Sequence, residues 1–289
     1  MLLKNGGNSK NCAMDWNLQA ELLVIGLLSG VLGGLLGIGG GIIFVTILPA
    51  VLLKMGIPES EIVEFTVANS LFATFFTTLS GNIRGAFYYK TDWRPILWLS
   101  GGSIVISILL LHFFVNTPYY SRTAFNGLFL CVVACMMYLL YKKSKNDKIQ
   151  PPEEEKKKTP PIKKLLLTGL AAGVISPLTG LGGGLMIVPV LHSRLGYSMR
   201  QANFISLGCI GITAFFSTLW NMSESTLVQI SHWQSGYIVF PVCLYLGAGG
   251  VVGAFLGVDL NRKIAPPLIR VLFGVTLLFI FVRKILELL

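Results

Sequence analysis

Gly37-Ile38-Gly39-Gly40-Gly41-Ile42 interrupts a long apolar run near the start of the chain, and Gly180-Leu181-Gly182-Gly183-Gly184-Leu185 interrupts another in its second half. Three adjacent glycines cost about 1 kcal/mol each in a helix relative to alanine, so a segment that only had to cross lipid would not carry them. Glycine reaches positive φ and breaks a helix. The half-helix that follows then starts with unpaired N–H groups, which together with the helix dipole attract anions. Irregular backbone at membrane depth is tolerated only where protein or a water-filled cavity surrounds it. Two such breaks in matching places predict a binding site between two repeats.

The match extends well beyond the glycines. Gly30-Val31 recurs as Gly173-Val174 at the same offset as the clusters. Phe75-Phe76-Thr77-Thr78-Leu79 recurs as Phe215-Phe216-Ser217-Thr218-Leu219, Trp93 as Trp233, and Arg122 and Phe125 as Arg270 and Phe273. An ordered series with small drifts is the mark of an internal duplication. Residues 1–141 and 165–289 are therefore expected to be two homologous membrane repeats. Residues 142–164 form a charged cytoplasmic linker between them, with Pro151, Pro152, Pro160 and Pro161 around acidic and basic runs.

Composition supports the membrane reading. Hydrophobic residues make up 53% of the chain and charged ones 12%, against about 25% charged in soluble domains. Nearly charge-free runs cover 22–53, 62–79, 96–115, 124–141, 165–191, 204–220, 236–258 and 268–282, and a spanning helix needs about 20 apolar residues. The net charge of +10 sits mostly in short loops, as the positive-inside rule requires, so no nucleic-acid partner is expected. Lys4 and Lys10 precede the first run as in a signal peptide, but no cleavage site follows and the segment is expected to be retained. A Lys-rich cytoplasmic linker places Arg84, Lys90, Arg94, Arg194, Arg200, Arg262 and Lys263 inside, provided that 165–191 dips and returns. The expectation is an all-α polytopic protein with about 8–10 membrane segments. Its halves are inverted repeats, each opening with a glycine-broken helical hairpin.

Polar side chains cluster after each break: Thr66, Asn69, Ser70, Thr74, Thr77 and Thr78 in one half, Asn203, Ser206, Thr213, Ser217 and Thr218 in the other. The expected substrate site consists of Gly39, Gly40, Gly41, Asn69, Ser70, Gly182, Gly183, Gly184 and Ser206. Glu64 and His112 are the candidates for proton coupling. Gly26, Gly30 and Gly34, like Gly249, Gly253 and Gly257, recur every four residues and read as helix-packing rows. Cys131 and Cys135, four apart on one helix, read as packing residues, since no acidic residue or histidine accompanies them in that run. Gly37-Ile38-Gly39 supplies two glycines of a dinucleotide fingerprint, but Ile42 takes the third place and no strand–helix alternation surrounds it. No metal or other cofactor is expected, and scattered histidines without a Gly-x-Ser-Gly motif argue against an enzyme. An anion channel or a membrane scaffold is the alternative to a carrier.

On these residues the chain resembles the sulfite exporter TauE/SafE family. The resemblance rests on the duplicated Gly-x-Gly-Gly-Gly segment, on Val188-Pro189-Val190-Leu191 after the second copy, on Ala68-Asn69-Ser70-Leu71 and on Asp92-Trp93. Thr46 stands where the family has proline, and Ser206-Leu207 lacks a preceding threonine. The resemblance implies transport of sulfite, an organosulfonate or a related small organic anion across a bacterial inner membrane, with membrane lipid as the other partner.

Overall fold

A computed structural model describes residues 16–89, 92–117, 120–146, 160–230 and 233–288. The described helices are α1 (Trp16–Leu36), α2 (Gly41–Lys54), α3 (Ile62–Ala86), α4 (Arg94–Leu110, continued by a π-helical turn at Leu111–Val115) and α5 (Arg122–Asn146). They continue with α6 (Ile162–Thr179), α7 (Gly184–Arg194), α8 (Met199–Ser223), α9 (Phe240–Lys263) and α10 (Pro266–Leu288). Two short antiparallel strands, β1 (Gln234–Ser235) and β2 (Ile238–Val239), lead into α9. Helices α1, α3, α4 with its π turn, α6, α8 and α9 are long and apolar enough to cross a membrane. The protein is thus an all-α polytopic membrane protein. Of the expected linker, 142–146 continue α5 and Ile162 opens α6, while 147–159 lie outside the described residues, as do Lys4, Lys10, Lys90 and His232.

The helices break where the glycines are. Gly37, Gly39 and Gly40 have φ of 74, 74 and 81°, and Gly180, Gly182 and Gly183 have φ of 67, 69 and 77°. An L side chain in this region costs roughly 1–2 kcal/mol per residue, so the sequence and the turn specify one another. Each half opens with a hairpin, α1–α2 or α6–α7.

The centre of the bundle is the α3–α8 pair. The most apolar windows of these helices are 83% and 78% buried, against 39% for α1 and α4. The pair runs antiparallel. Asn82 Nδ2 donates to Phe204 O at 3.0 Å, and the Phe75 and Phe215 rings meet at 5.3 Å further along. Helix α9 runs parallel to α3, since Asn69 bonds near its start and Ser80 Oγ donates to Val251 O at 2.8 Å. Arg84 forks onto Asp259, with both bonds at 2.8 Å, near its end. Helix α4 runs parallel to α8, with Ile96 against Gly208 and the His112 ring against Trp220.

Two close-packed seams attach the hairpins to the opposite halves. Gly26 and Gly30 of α1 face Leu246 and Gly250 of α9, and Gly249, Gly253 and Gly257 face Leu23, Leu27 and Val31 in return. The two sequence rows therefore pack against each other. The second seam joins α6 to α4: Gly169 lies on Leu99, Gly173 on Ser103, and Ser107 Oγ donates to Gly173 O at 3.0 Å. Both seams are parallel.

Cys131 and Cys135 are exposed on α5, whose inward face is Phe125, Phe129, Val133 and Met136. This corrects their reading as packing residues: α5 lies at the periphery against α10, α6 and α3, and among the described residues Cys131 and Cys135 fall on its exposed face.

A Cβ at Gly253 would stand 2.1 Å from Leu27 O, whereas one at Gly101 meets nothing within 4 Å. Gly253→Leu should therefore force α1 and α9 apart and cost about 1–3 kcal/mol or more, lowering the melting temperature of the detergent-purified protein. Gly101→Leu should leave it unchanged.

Candidate functional site

The two hairpin tips lie against each other between α3 and α8. A Cβ on Gly41 would sit 2.9 Å from Gly180 O, and one on Gly184 would sit 3.0 Å from Gly37 O. Thr74 and Thr78 of α3 and Ile210 of α8 enclose Gly39, and Ile210 with Thr74 encloses Gly182. The expected site glycines are thus gathered at one place, at the level of the middle turns of α3 and α8, the most buried of the six membrane-length helices.

A broken helix frees carbonyls as well as N–H groups, and in a bilayer these need protein partners. Ser70 Oγ donates to Gly180 O at 2.8 Å, and Ser206 Oγ donates to Gly37 O at 2.8 Å. Each serine comes from one half and holds the tip of the other. Ser29 Oγ donates to Gly40 O at 2.5 Å within the first hairpin. Leu35 O, at the end of α1, accepts from Asn203 Nδ2 at 3.1 Å and from Asn261 Nδ2 at 2.5 Å. The N-termini of α2 and α7 are treated differently. Their N-caps are Gly40 and Gly183, and no side chain caps either helix among the described residues.

Asn69 is fully buried next to Ser70 in the chain, with its amide bonded to residues away from the tips. Its Nδ2 donates to Phe65 O at 2.6 Å and to Tyr237 O at 2.8 Å, and its Oδ1 accepts from Val239 N at 2.9 Å. The side chain thereby pins the β1–β2 turn onto α3 where the chain enters α9.

Glu64 and His112 lie away from the tips, at the end of the bundle where α3 starts and α4 finishes. Glu64 is buried in the first turn of α3. His112 Nδ1 stands 3.8 Å from Glu224 Oε1, and its ring edge meets Trp220 at 5.5 Å. Tyr237 links the two regions. Its hydroxyl is pushed up to about 12 by burial and by the nearby carboxylates of Glu64, Glu61 and Glu224. The opposite end is basic. There Tyr88 OH donates to Asp259, the Arg262 guanidinium stacks 3.8 Å over the Tyr88 ring, and Arg200 Nη2 donates to Arg262 O at 2.9 Å.

Residues outside the expected site set also touch the tips, among them Ser29, Thr74, Thr78, Asn203 and Ile210. Thr74 was within reach of the sequence, because it follows Ser70 by one helical turn. Ser29 and Ile210 carry no such signal.

The model of the family described as sulfite exporter TauE/SafE matches residues 22–283. The chain belongs to this family. Among curated relatives, a "Probable membrane transporter protein" of Methanocaldococcus jannaschii is 29% identical over 88% of this chain and 90% of its own. Proteins of the same description from Haemophilus influenzae and Bacillus subtilis are 26% and 24% identical, each over 92% of this chain and 97% of its own. No solved structure matches the chain. This member of the TauE/SafE family is accordingly a multi-pass membrane protein of a transporter family.

Removing the Asn69 amide should orphan Tyr237 O and Val239 N, at about 1–3 kcal/mol for each buried group. Asn69→Leu, which keeps the volume, is expected to lower the melting temperature measured in detergent, and Asn69→Asp to fall between it and the parent protein.

Proposed function

We propose that this protein is a secondary carrier that moves a small sulfur-containing anion across a bacterial inner membrane by alternating access. The substrate is sulfite, an organosulfonate or a related organic anion. One observation carries the reading: two uncapped half-helix N-termini, α2 and α7, meet between α3 and α8, the most buried of the six membrane-length helices. Such termini stabilise negative charge, and the surrounding hydroxyls and apolar side chains add no fixed cation that would hold an anion too tightly to release. The family and its relatives supply the transporter class, and the family description supplies the sulfur anion.

The two repeats, 1–141 and 165–289, are inverted relative to one another in this reading. Supporting it, α3 and α8, which carry the Phe-Phe-Thr/Ser-Thr-Leu match, cross in opposite directions, and the α1–α9 seam has its counterpart in the α6–α4 seam. The end bearing Arg84, Arg94, Arg200, Arg262 and Lys263 faces the cytoplasm, by the positive-inside rule. Rocking one half against the other would exchange the partners at the tips, where Ser70 and Ser206 reach across. Gly39–Gly41, Gly182–Gly184, Ser70 and Ser206 form the site, Asn69 fixes α3 beside it, and Glu64 and His112 carry protons at the outer end. None of these roles requires a catalytic group.

Proteoliposomes preloaded with unlabelled sulfite should take up radiolabelled sulfite with saturation, and taurine or sulfoacetate should compete more strongly than chloride. Gly183→Ala places a side chain at positive φ, 2.7 Å from Ala172 O. It should insert normally yet lose most of this counterflow. Full counterflow in a well-folded Gly183→Ala protein would remove the tips from the site, and unsaturable flux in the parent protein would indicate a channel.

A further inference from the structure

We infer that the anion is held at only one of the two tips, the N-terminus of α2, and that Thr74 is the side-chain ligand there. This inference deepens the carrier reading and rests on it. The tips are matched in backbone and unlike in chemistry. A Cβ on Gly41 would meet Gly180 O at 2.9 Å, Leu181 Cα at 3.1 Å and Thr74 Oγ1 at 3.1 Å. A Cβ on Gly184 would meet Gly37 O at 3.0 Å, Ile38 Cα at 3.0 Å and Ile210 Cδ1 at 2.4 Å. The first two contacts correspond; the third is a hydroxyl at α2 and a methyl at α7. Thr74 and Ile210 each sit one helical turn beyond the serine that spans the halves, Ser70 or Ser206, so they hold corresponding places at the two tips, although the Phe-Phe match in the sequence aligns Thr74 with Ala214.

The hydroxyl of Thr74 is unpaired among the described residues, as are those of Thr66, Ser176, Thr213, Ser217 and Thr218, and of these six that of Thr74 is the one that stands against a tip glycine. Threonines inside helices commonly donate to the carbonyl one turn back. Thr46, Thr77 and Thr78 do so, to Ile42 O, Ala73 O and Thr74 O. Thr74 is fully buried, and its Oγ1 has no hydrogen-bond partner among the described residues. A buried hydroxyl left unpaired is unfavourable, and this one faces the uncapped start of a 14-residue helix. An oxyanion with two or more acceptor oxygens would satisfy both groups at once, one oxygen on the first N–H groups of α2 and another on Thr74 Oγ1. At α7 the Ile210 methyl fills the corresponding place and offers no donor. With the tips in contact, the anion reaches Thr74 as the halves move apart.

Thermal stabilisation of the purified protein by increasing sulfite, with sulfate and chloride in parallel, tests the assignment. The parent protein and Thr74→Ser should respond alike, and Ile210→Val should match them. Thr74→Val, which keeps the shape, should need roughly tenfold more sulfite or more for the same shift, as expected for loss of a hydrogen bond to a charged group. Thr74→Ala provides the same comparison if the valine variant does not fold. An unchanged response in Thr74→Val or Thr74→Ala, or a loss confined to Ile210→Val, overturns the assignment while leaving the carrier reading intact. A folded parent protein that responds to neither sulfite nor sulfate overturns both.

Discussion

Inside a bilayer no water reaches the carbonyls and amides that a broken helix sets free, and this fold breaks two helices near its centre. The rest of the architecture follows from satisfying those groups. Ser206 and Ser70 take the carbonyls of Gly37 and Gly180, Ser29 takes that of Gly40, and Asn203 and Asn261 together take that of Leu35. All five donors are buried. Most belong to helices far from the break in sequence, so each tip is stable only when the other half of the molecule is packed against it.

Close approach makes this possible. The hairpins are fastened through rows of glycine, where backbone lies on backbone and dispersion replaces the hydrophobic effect that lipid cannot supply. The α1–α9 and α6–α4 seams each join a hairpin to a helix of the opposite half. The two ends of the bundle are closed by different chemistry. Arg84 forks onto Asp259 with two 2.8 Å bonds at one end, a geometry among the stronger charge pairings. His112 stands 3.8 Å from Glu224 at the other, a looser contact whose charge depends on the imidazole.

Much of the candidate site was legible because its main feature is a choice of residue. Glycine accommodates the positive φ of the tips at the least cost, so Gly37–Gly41 and Gly180–Gly184 announce the breaks. Ser70 and Ser206 were also readable as polar groups in mid-span. Their partners were not, because which carbonyl a hydroxyl meets depends on a crossing between helices more than a hundred residues apart. Asn69 illustrates the limit. A mid-span asparagine needs partners, and the partners turn out to be the backbone of the β1–β2 turn. Thr74 and Thr77 are equally polar in the sequence. They differ because Thr77 donates to its own helix while the Thr74 hydroxyl faces a tip. Cys131 and Cys135 looked like core because apolar composition does not distinguish a face packed on protein from one packed on lipid.

The sequence by itself determined that the chain spans a membrane repeatedly, that its helices are interrupted at two matching points, and that its glycine rows are packing surfaces. These are properties of local composition, hydropathy and backbone freedom. The tertiary structure decided what they become together: which rows meet, which half closes which tip, and which of two similar helix starts faces a hydroxyl. Those outcomes depend on the direction and register of helices remote in sequence. A shift of one residue along α3 or α8 would rotate a different side chain toward the tips, and nothing local in the sequence records that choice.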